Sequence, residues 1–248
     1  MKITVISRWF NEAIIAPFFL NHYAFADEII ILLDEMTTDA TAEIISGYPN
    51  TKIRNYKLPE GVSFGRTTAL VTQAASTVDS GWIICPDTDE FVFPHGHGNS
   101  HLTLNQVADG NLVYADMWGV YRHQTEKDLD LSLPTIWQRR HGDPNRTVGT
   151  NRHACKPIIV KSGLGINWTP GFHGYQNNSK IKVSRTRFDG VHWMMADVDL
   201  AVPRRMRGRR ELISEENLHH GWGYHNFDIT EEKIRADCAA HANDPQVF

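Results

Sequence analysis

The sequence predicts an α/β protein: a mostly parallel sheet flanked by helices, followed by a mixed C-terminal region. Three observations predict it. Strand-like and helix-like segments alternate over the first 93 residues. Two of the strand segments, Ile29–Leu33 and Trp82–Cys85, are near-continuous apolar runs, as in strands covered on both faces. Both run into acid, the first at Asp34 and the second at Asp87 after Pro86.

The elements follow in order. Lys2–Ser7 is β-rich and reads as the first strand. Asn11 is placed to cap a helix over Glu12–Phe25. Asp27–Asp34 is a second strand, and the run from Thr37 through Asp39 to Thr41 opens a helix extending to Ser46. After the turn at Gly47–Asn50 comes a strand over Thr51–Tyr56, then a loop through Pro59 and Gly61. Ser63 caps a helix to Val78, and Trp82 starts the fourth strand. Strand, helix, strand in repetition implies parallel pairing through right-handed crossovers. The second half is less regular. It offers a short helix over Leu102–Ala108, a long aromatic strand over Asn111–His123 and a polar excursion over Thr125–Gly149. Strand patterns at Ala154–Val160 and Lys180–Ser184 follow. A basic helical stretch over Asp197–Ile213, interrupted by Pro203, precedes a last helix over Thr230–Ala240.

At 248 residues the chain fits a single domain over 1–248, with 1–93 and 94–248 as its two halves. Lys plus Arg is 25 against 29 for Asp plus Glu, a balance that excludes a general nucleic-acid binder. Cys85, Cys155 and Cys238 are too widely spaced for a zinc pattern or a disulfide framework, so a reducing compartment is expected. No apolar run approaches a membrane span, and the N-terminal residues lack a signal-peptide pattern. The expectation is a cytoplasmic protein, with association to a membrane surface left open by the arginine-rich stretch.

Chemistry concentrates at strand ends. Asp87, Asp89 and Glu90 crowd four positions after Pro86, and their mutual repulsion favours a hard cation such as Mn²⁺ or Mg²⁺. In open sheets ligands bind beyond the carboxyl ends of the strands, so the residues after the first and second strands should share that rim. These are Asn11, Glu12 and Asp34, with Asp34 suited to a nucleobase imide or a ribose hydroxyl. The imidazoles in HGHGNSH, His95, His97 and His101, are interleaved with glycine and read as an exposed loop. Arg204, Arg205, Arg207, Arg209 and Arg210 either clamp a diphosphate or form a solvated face. Trp118, Trp137, Trp168 and Trp193 are either sugar-stacking faces or core.

The order Trp9-Phe10-Asn11-Glu12, Asn21-His22-Tyr23, Ile31-Leu32-Leu33-Asp34, Thr37-Thr38-Asp39-Ala40-Thr41 and Asp87-Thr88-Asp89-Glu90-Phe91 resembles nucleotide-sugar glycosyltransferases of the GT-A fold, of the family-2-like kind. The resemblance covers residues 3–93 well and the remainder loosely. Asn21-His22-Tyr23 reverses the usual order of the Tyr and His, and Glu35-Met36 replaces the usual polar pair after Asp34.

The resemblance implies a GT-A type Rossmann-like sheet and a donor half over 1–93. It implies a metal-dependent, inverting transfer of sugar from a nucleoside diphosphate to a carbohydrate or glycolipid acceptor, as in surface polysaccharide assembly. Asn11, Glu12, Asp34 and Asp87, with Arg204 and Arg207, would hold the donor. Asp87, Asp89 and a late histidine, His192 or alternatively His173, would hold Mn²⁺ or Mg²⁺. Glu90, Asp116 and Asp143 are all candidates for the general base an inverting transfer needs. Lys156 is a weaker phosphate candidate. Two alternatives are a sugar nucleotidyltransferase and a carbohydrate-binding protein with a decayed site. The first wants a glycine-rich phosphate loop after strand one, where this chain has Arg8-Trp9-Phe10-Asn11-Glu12.

Overall fold

The computed structural model describes residues 1–58, 63–142, 155–176, 178–206, 214–221 and 229–248. The first half follows the expected order: β1 (Ile3–Trp9), α1 (Ala16–His22), β2 (Glu28–Asp34), α2 (Thr41–Ser46), β3 (Thr51–Tyr56), α3 (Phe64–Ser76) and β4 (Trp82–Ile84). The second half contains β5 (Glu90–Pro94), α4 (Ser100–Asn105), β6 (Leu112–Tyr121), β7 (Cys155–Lys161), β8 (Val183–Met195), α5 (Val198–Met206), α6 (Glu215–His220) and α7 (Glu231–Ala240).

All eight strands join one sheet in the order β3-β2-β1-β4-β7-β6-β8-β5. Pairing is parallel across β3-β2-β1-β4 and again between β6 and β8. It is antiparallel for β4–β7, β6–β7 and β5–β8. The sheet is therefore mixed, where the sequence predicted mostly parallel. Parallel neighbours need a crossover, and the first half supplies helices for it. The second half inserts β7 between β4 and β6 antiparallel to both, and adds two strands the residue pattern underplayed. β5 begins inside the acid cluster itself. β8 runs through 13 residues where only Lys180–Ser184 was expected to be extended.

Capping follows the sequence in part. Ser63 accepts from the Arg66 amide and Thr230 from the Lys233 amide, as N-caps do. Asn11 does not cap. It holds a left-handed φ of 52° five residues before Ala16, where α1 starts with proline in its first turn. Asparagine tolerates that backbone region because its short amide bonds locally.

The aromatic core beneath the strand tips fixes the rim. Trp9 meets Phe19 edge-on at 5.2 Å, Phe19 packs on Tyr23 at 4.5 Å, and Phe91 meets Trp193 at 4.9 Å. Trp9, Phe19, Tyr23, Phe91 and Trp193 are all buried. Residues of α1 thereby lock β1 to β5 and β8, elements distant in the sheet order. Among the described residues no helix is long and apolar enough to cross a membrane.

Candidate active site

The site forms where β1, β4, β5, β7 and β8 approach one another. Register sets the first contact. Val5 pairs with Ile84, so Arg8, three residues on, lies level with Asp87. Ser7 Oγ donates to the Pro86 carbonyl at 2.9 Å and Thr88 Oγ1 to the Arg8 carbonyl at 3.3 Å, which holds the two tips side by side. In the next pair Glu90 faces His192, and the Trp193 amide donates to the Asp89 carbonyl at 2.7 Å. That ladder brings a histidine a hundred residues away onto the acid cluster.

The backbone of β5 is pinned from beneath by α1 and the turn after it. Tyr23 Oη donates to the Glu90 carbonyl at 2.8 Å and accepts from the Val92 amide at 3.1 Å. His22 Nε2 donates to the Val92 carbonyl at 2.9 Å. The His-then-Tyr order of this chain thus places both side chains on consecutive groups of β5. Burial keeps the His22 ring neutral, with a pKa near 4 against 6.5 ordinarily, the Val92 carbonyl opposing it only partly.

Each acid has a basic partner. Lys156, on β7, reaches both the Glu90 carboxylate and Asp87 Oδ2, the latter at 3.1 Å. Glu90 Oε2 also accepts from the Asp87 amide at 3.0 Å. Arg204, on α5, divides its guanidinium between Glu12 Oε2 and Asp89 Oδ2, both at 2.9 Å. Its side chain is 5% exposed and that of Glu12 2%. Asp89 Oδ1 lies 3.5 Å from His192 Nε2. Arg8 Nη2 stands 3.9 Å from Asp87 Oδ1, beyond hydrogen-bond range.

Ionisation follows from these pairs. Burial pushes the Asp89 carboxyl up, but the Arg204 guanidinium and the His192 ring outweigh it and hold it well below the usual range. Asp87 is likewise lowered, burial being overcome by Lys156 and Arg8. Glu90 moves the other way. Its burial dominates, the Lys156 ammonium recovers only part, and the carboxyl sits above its ordinary value. Burial lowers His192 and the Asp89 charge more than reverses that, so the ring is raised.

The donors present suit a divalent cation. Two ligands each about 2.1 Å from one ion at right angles lie about 3 Å apart, so Asp89 Oδ1 and His192 Nε2 need little closing movement to share one. Both side chains are partly open, at 13% and 32% exposure. An imidazole beside a carboxylate favours Mn²⁺ over Mg²⁺. Among the described residues no three His, Cys, Asp or Glu side chains converge as a complete cage. Such ions take one or two carboxylates and fill the remaining positions with water and substrate phosphate.

The sequence-derived candidates divide as follows. Glu12, Asp87, Asp89, Glu90, His192 and Arg204 come together. Arg204 is a buried strut between two acids, however, and its hydrogen bonds are used there. Asn11 lies on the adjoining loop, where its Oδ1 accepts from the Thr38 amide at 2.7 Å and the Asp39 amide at 3.3 Å. It joins the β1 and β2 loops. Asp34 is buried at the end of β2 and accepts from the Met36 amide at 3.0 Å, shaping that loop. Glu90 has a side chain 1% exposed and is engaged by Lys156 and the Asp87 amide.

Asp116 does not join the cluster. It pairs with Cys155 across β6–β7, whereas Lys156 pairs with Ala115, and successive residues of a strand point to opposite faces. Asp116 therefore lies on the face away from Lys156. Arg187 grips its carboxylate from Nε at 3.0 Å and again from Nη2. His173 follows the turn Pro170–Phe172 and is exposed. Arg207 and Asp143 lie outside the described residues, as do Arg209 and Arg210. Of the tryptophans offered as stacking faces, Trp168 and Trp193 are buried; Trp137 is 42% exposed.

No protein-family model and no curated protein sequence matches the chain. Solved structures resemble it in overall course. The crystal structure of S. aureus TarS 1-349 is 13% identical, with a TM-score of 0.45, over 98% of this chain and 80% of that one. The same fragment in complex with UDP-GlcNAc is 14% identical, TM-score 0.45, over 96% and 72%. Glucosyl-3-phosphoglycerate synthase from Mycobacterium tuberculosis, in complex with Mn²⁺, UDP and phosphoglyceric acid, is 13% identical, TM-score 0.31, over 50% and 44%.

Proposed function

We propose that the chain is a metal-dependent glycosyltransferase, moving a sugar from a nucleoside diphosphate donor to a carbohydrate or glycolipid acceptor. The observation that carries the proposal is the approach of Asp89 to His192 at the strand tips, with Asp87 two residues before Asp89 and the buried struts Lys156 and Arg204 beside them. The order of motifs in residues 3–93 supports it independently. Residues 1–93 form the donor half and 94–248 contribute β7, β8 and α5 to the same site.

In this proposal Asp89 and His192 hold Mn²⁺ or Mg²⁺, with Asp87 next to them. A cation held there would supply positive charge against the diphosphate leaving group. Asp34 receives the nucleoside at the tip of β2. Glu12 and Arg204 fix Asp89 by a buried fork; Lys156 and Glu90 fix Asp87 from the side-chain and backbone sides. Glu90 is a positioning residue, and the base for the acceptor hydroxyl is supplied by neither Glu90 nor Asp116. Inversion and a role in surface polysaccharide assembly, with contact to a membrane surface, extend the same proposal from the motif resemblance.

The test is donor turnover. UDP-, GDP-, CDP- and dTDP-sugars are incubated with the protein and Mn²⁺, and nucleotide release is followed. One donor should be hydrolysed slowly, and Asp89→Asn should abolish that release while the protein remains folded. Release from no donor, together with no binding of any nucleoside diphosphate, overturns the proposal.

A further inference from the structure

We infer that Arg8 is the residue that takes the donor's diphosphate directly, an inference that rests on the donor-site proposal above. Its surroundings carry the inference. Arg8 sits next to last in β1, level with Asp87, with a side chain 22% exposed at the rim. Its Nε is buried without a hydrogen-bond partner among the described residues. The nearest carboxylate oxygen, Asp87 Oδ1, stands 3.9 Å from Nη2, and Asp87 is already hydrogen-bonded by Lys156 at 3.1 Å. The guanidinium lies over the Phe64 ring, 5.8 Å from its centroid, at the start of α3. Stacking of that kind orients the plane of the fork and leaves its edge donors uncommitted.

The contrast with its neighbours decides the assignment. Arg204 spends its guanidinium on Glu12 and Asp89, and Lys156 spends its ammonium on Asp87 and Glu90. Nε is closed off, so the terminal nitrogens at the rim, with Nη2 3.9 Å from the nearest carboxylate oxygen, are the ones that can take an incoming anion. A guanidinium fork matches two oxygens of a phosphate group at once, which an ammonium does not. The anion is a diphosphate, and a cation held by Asp89 and His192, which lie 3.5 Å apart, would share it.

The experiment titrates wild type, Arg8→Gln and Arg8→Lys with UDP, GDP, CDP, dTDP, the matching nucleosides and inorganic pyrophosphate, by calorimetry in Mn²⁺ and again in EDTA. Wild type should bind one nucleoside diphosphate. Arg8→Gln should weaken that diphosphate by about 10- to 100-fold, as loss of a charge-assisted pair does, and leave the nucleoside unchanged. Arg8→Lys should fall between the two, since it keeps charge and loses the fork. A diphosphate affinity in Arg8→Gln within twofold of wild type overturns the Arg8 assignment and leaves the donor-site proposal standing. Wild type binding none of the four diphosphates overturns the donor-site proposal and Arg8 with it. Thermal unfolding of each variant shows whether it is folded; if Arg8→Gln is not, Arg8→Lys carries the decision, and wild-type affinity there for diphosphate and pyrophosphate alike overturns the assignment.

Discussion

Replacing Arg204 by methionine should cost the protein more stability than it costs most proteins to lose one side chain. The guanidinium is buried and serves two acids at 2.9 Å each. Methionine fills a comparable volume, so the cavity contribution is small. What remains is Glu12, 2% exposed, and Asp89, 13% exposed, both deprived of the Arg204 charge. Breaking a buried pair by removing one partner costs about 3–5 kcal/mol. For a chain of this size that lowers the melting temperature by about 6–20 °C. The assay is urea unfolding with thermal melting as a second probe. The double variant Glu12→Gln/Arg204→Met removes one stranded charge and should recover about 1–3 kcal/mol of the loss. A loss below about 1 kcal/mol in Arg204→Met would mean that the fork is open to water in solution, as exposed pairs are. The account of how Asp89 is held would then be wrong.

Further outcomes follow from the same contacts. Stability should fall as pH drops from about 6.5 to about 4, because an unfolded His22 takes up its proton near 6.5 and the buried ring near 4. Its share is about 1–3 kcal/mol, complete above pH 6.5. His22→Gln should flatten that part of the curve in urea titrations at pH 7 and 4.5, and an unchanged slope would contradict it. Asn11→Ala removes the acceptor for two loop amides and strains a left-handed backbone, so it should lose about 1–3 kcal/mol. Asn11→Gly, which accepts that backbone freely, should lose less in the same melts. Gly81→Ala should lose about 2 kcal/mol or more, because its φ is +96° and an added Cβ would strike the Lys2 carbonyl. Asp116→Asn should lower stability through Arg187 but leave nucleoside diphosphate affinity within twofold, and a tenfold loss would place Asp116 in the site after all.

Much of the frame was legible because β2 and β4 are continuous apolar runs and the helices between the early strands carry recognisable signals. Ser63 and Thr230 cap as read, and β1 to β4 fall where the residue types put them. The acids at the tips were legible because carboxylates so crowded require an explanation. What the sequence hid was long-range pairing. Nothing local in Glu90-Phe91-Val92-Phe93 distinguishes a new strand from the end of the previous one, and only β8 opposite it makes it one. Asp116 shows the same limit. One step along β6 reverses the face, and that parity is set by the register with β7 and not by any neighbour in sequence. Asn11 was read as a cap because caps and left-handed loop positions select the same side chains. Lys156 is a single cation in ordinary surroundings, and Arg204 is one of five arginines in a crowded basic stretch. Their importance comes from burial between two acids each, which composition cannot express. Tyr23 and His22 could have been suspected from the adjacent pair alone, since a buried Tyr hydroxyl and a buried imidazole must both find partners.

The central claim is that the acids at these tips, with one histidine, gather around a cation on the diphosphate. Crystals grown with Mn²⁺ and the bound nucleoside diphosphate test it most directly, by anomalous scattering. The account predicts a manganese peak between Asp89 and His192, with phosphate oxygens between it and Arg8. A peak elsewhere, or a diphosphate seated away from Asp87 and Asp89, would contradict it.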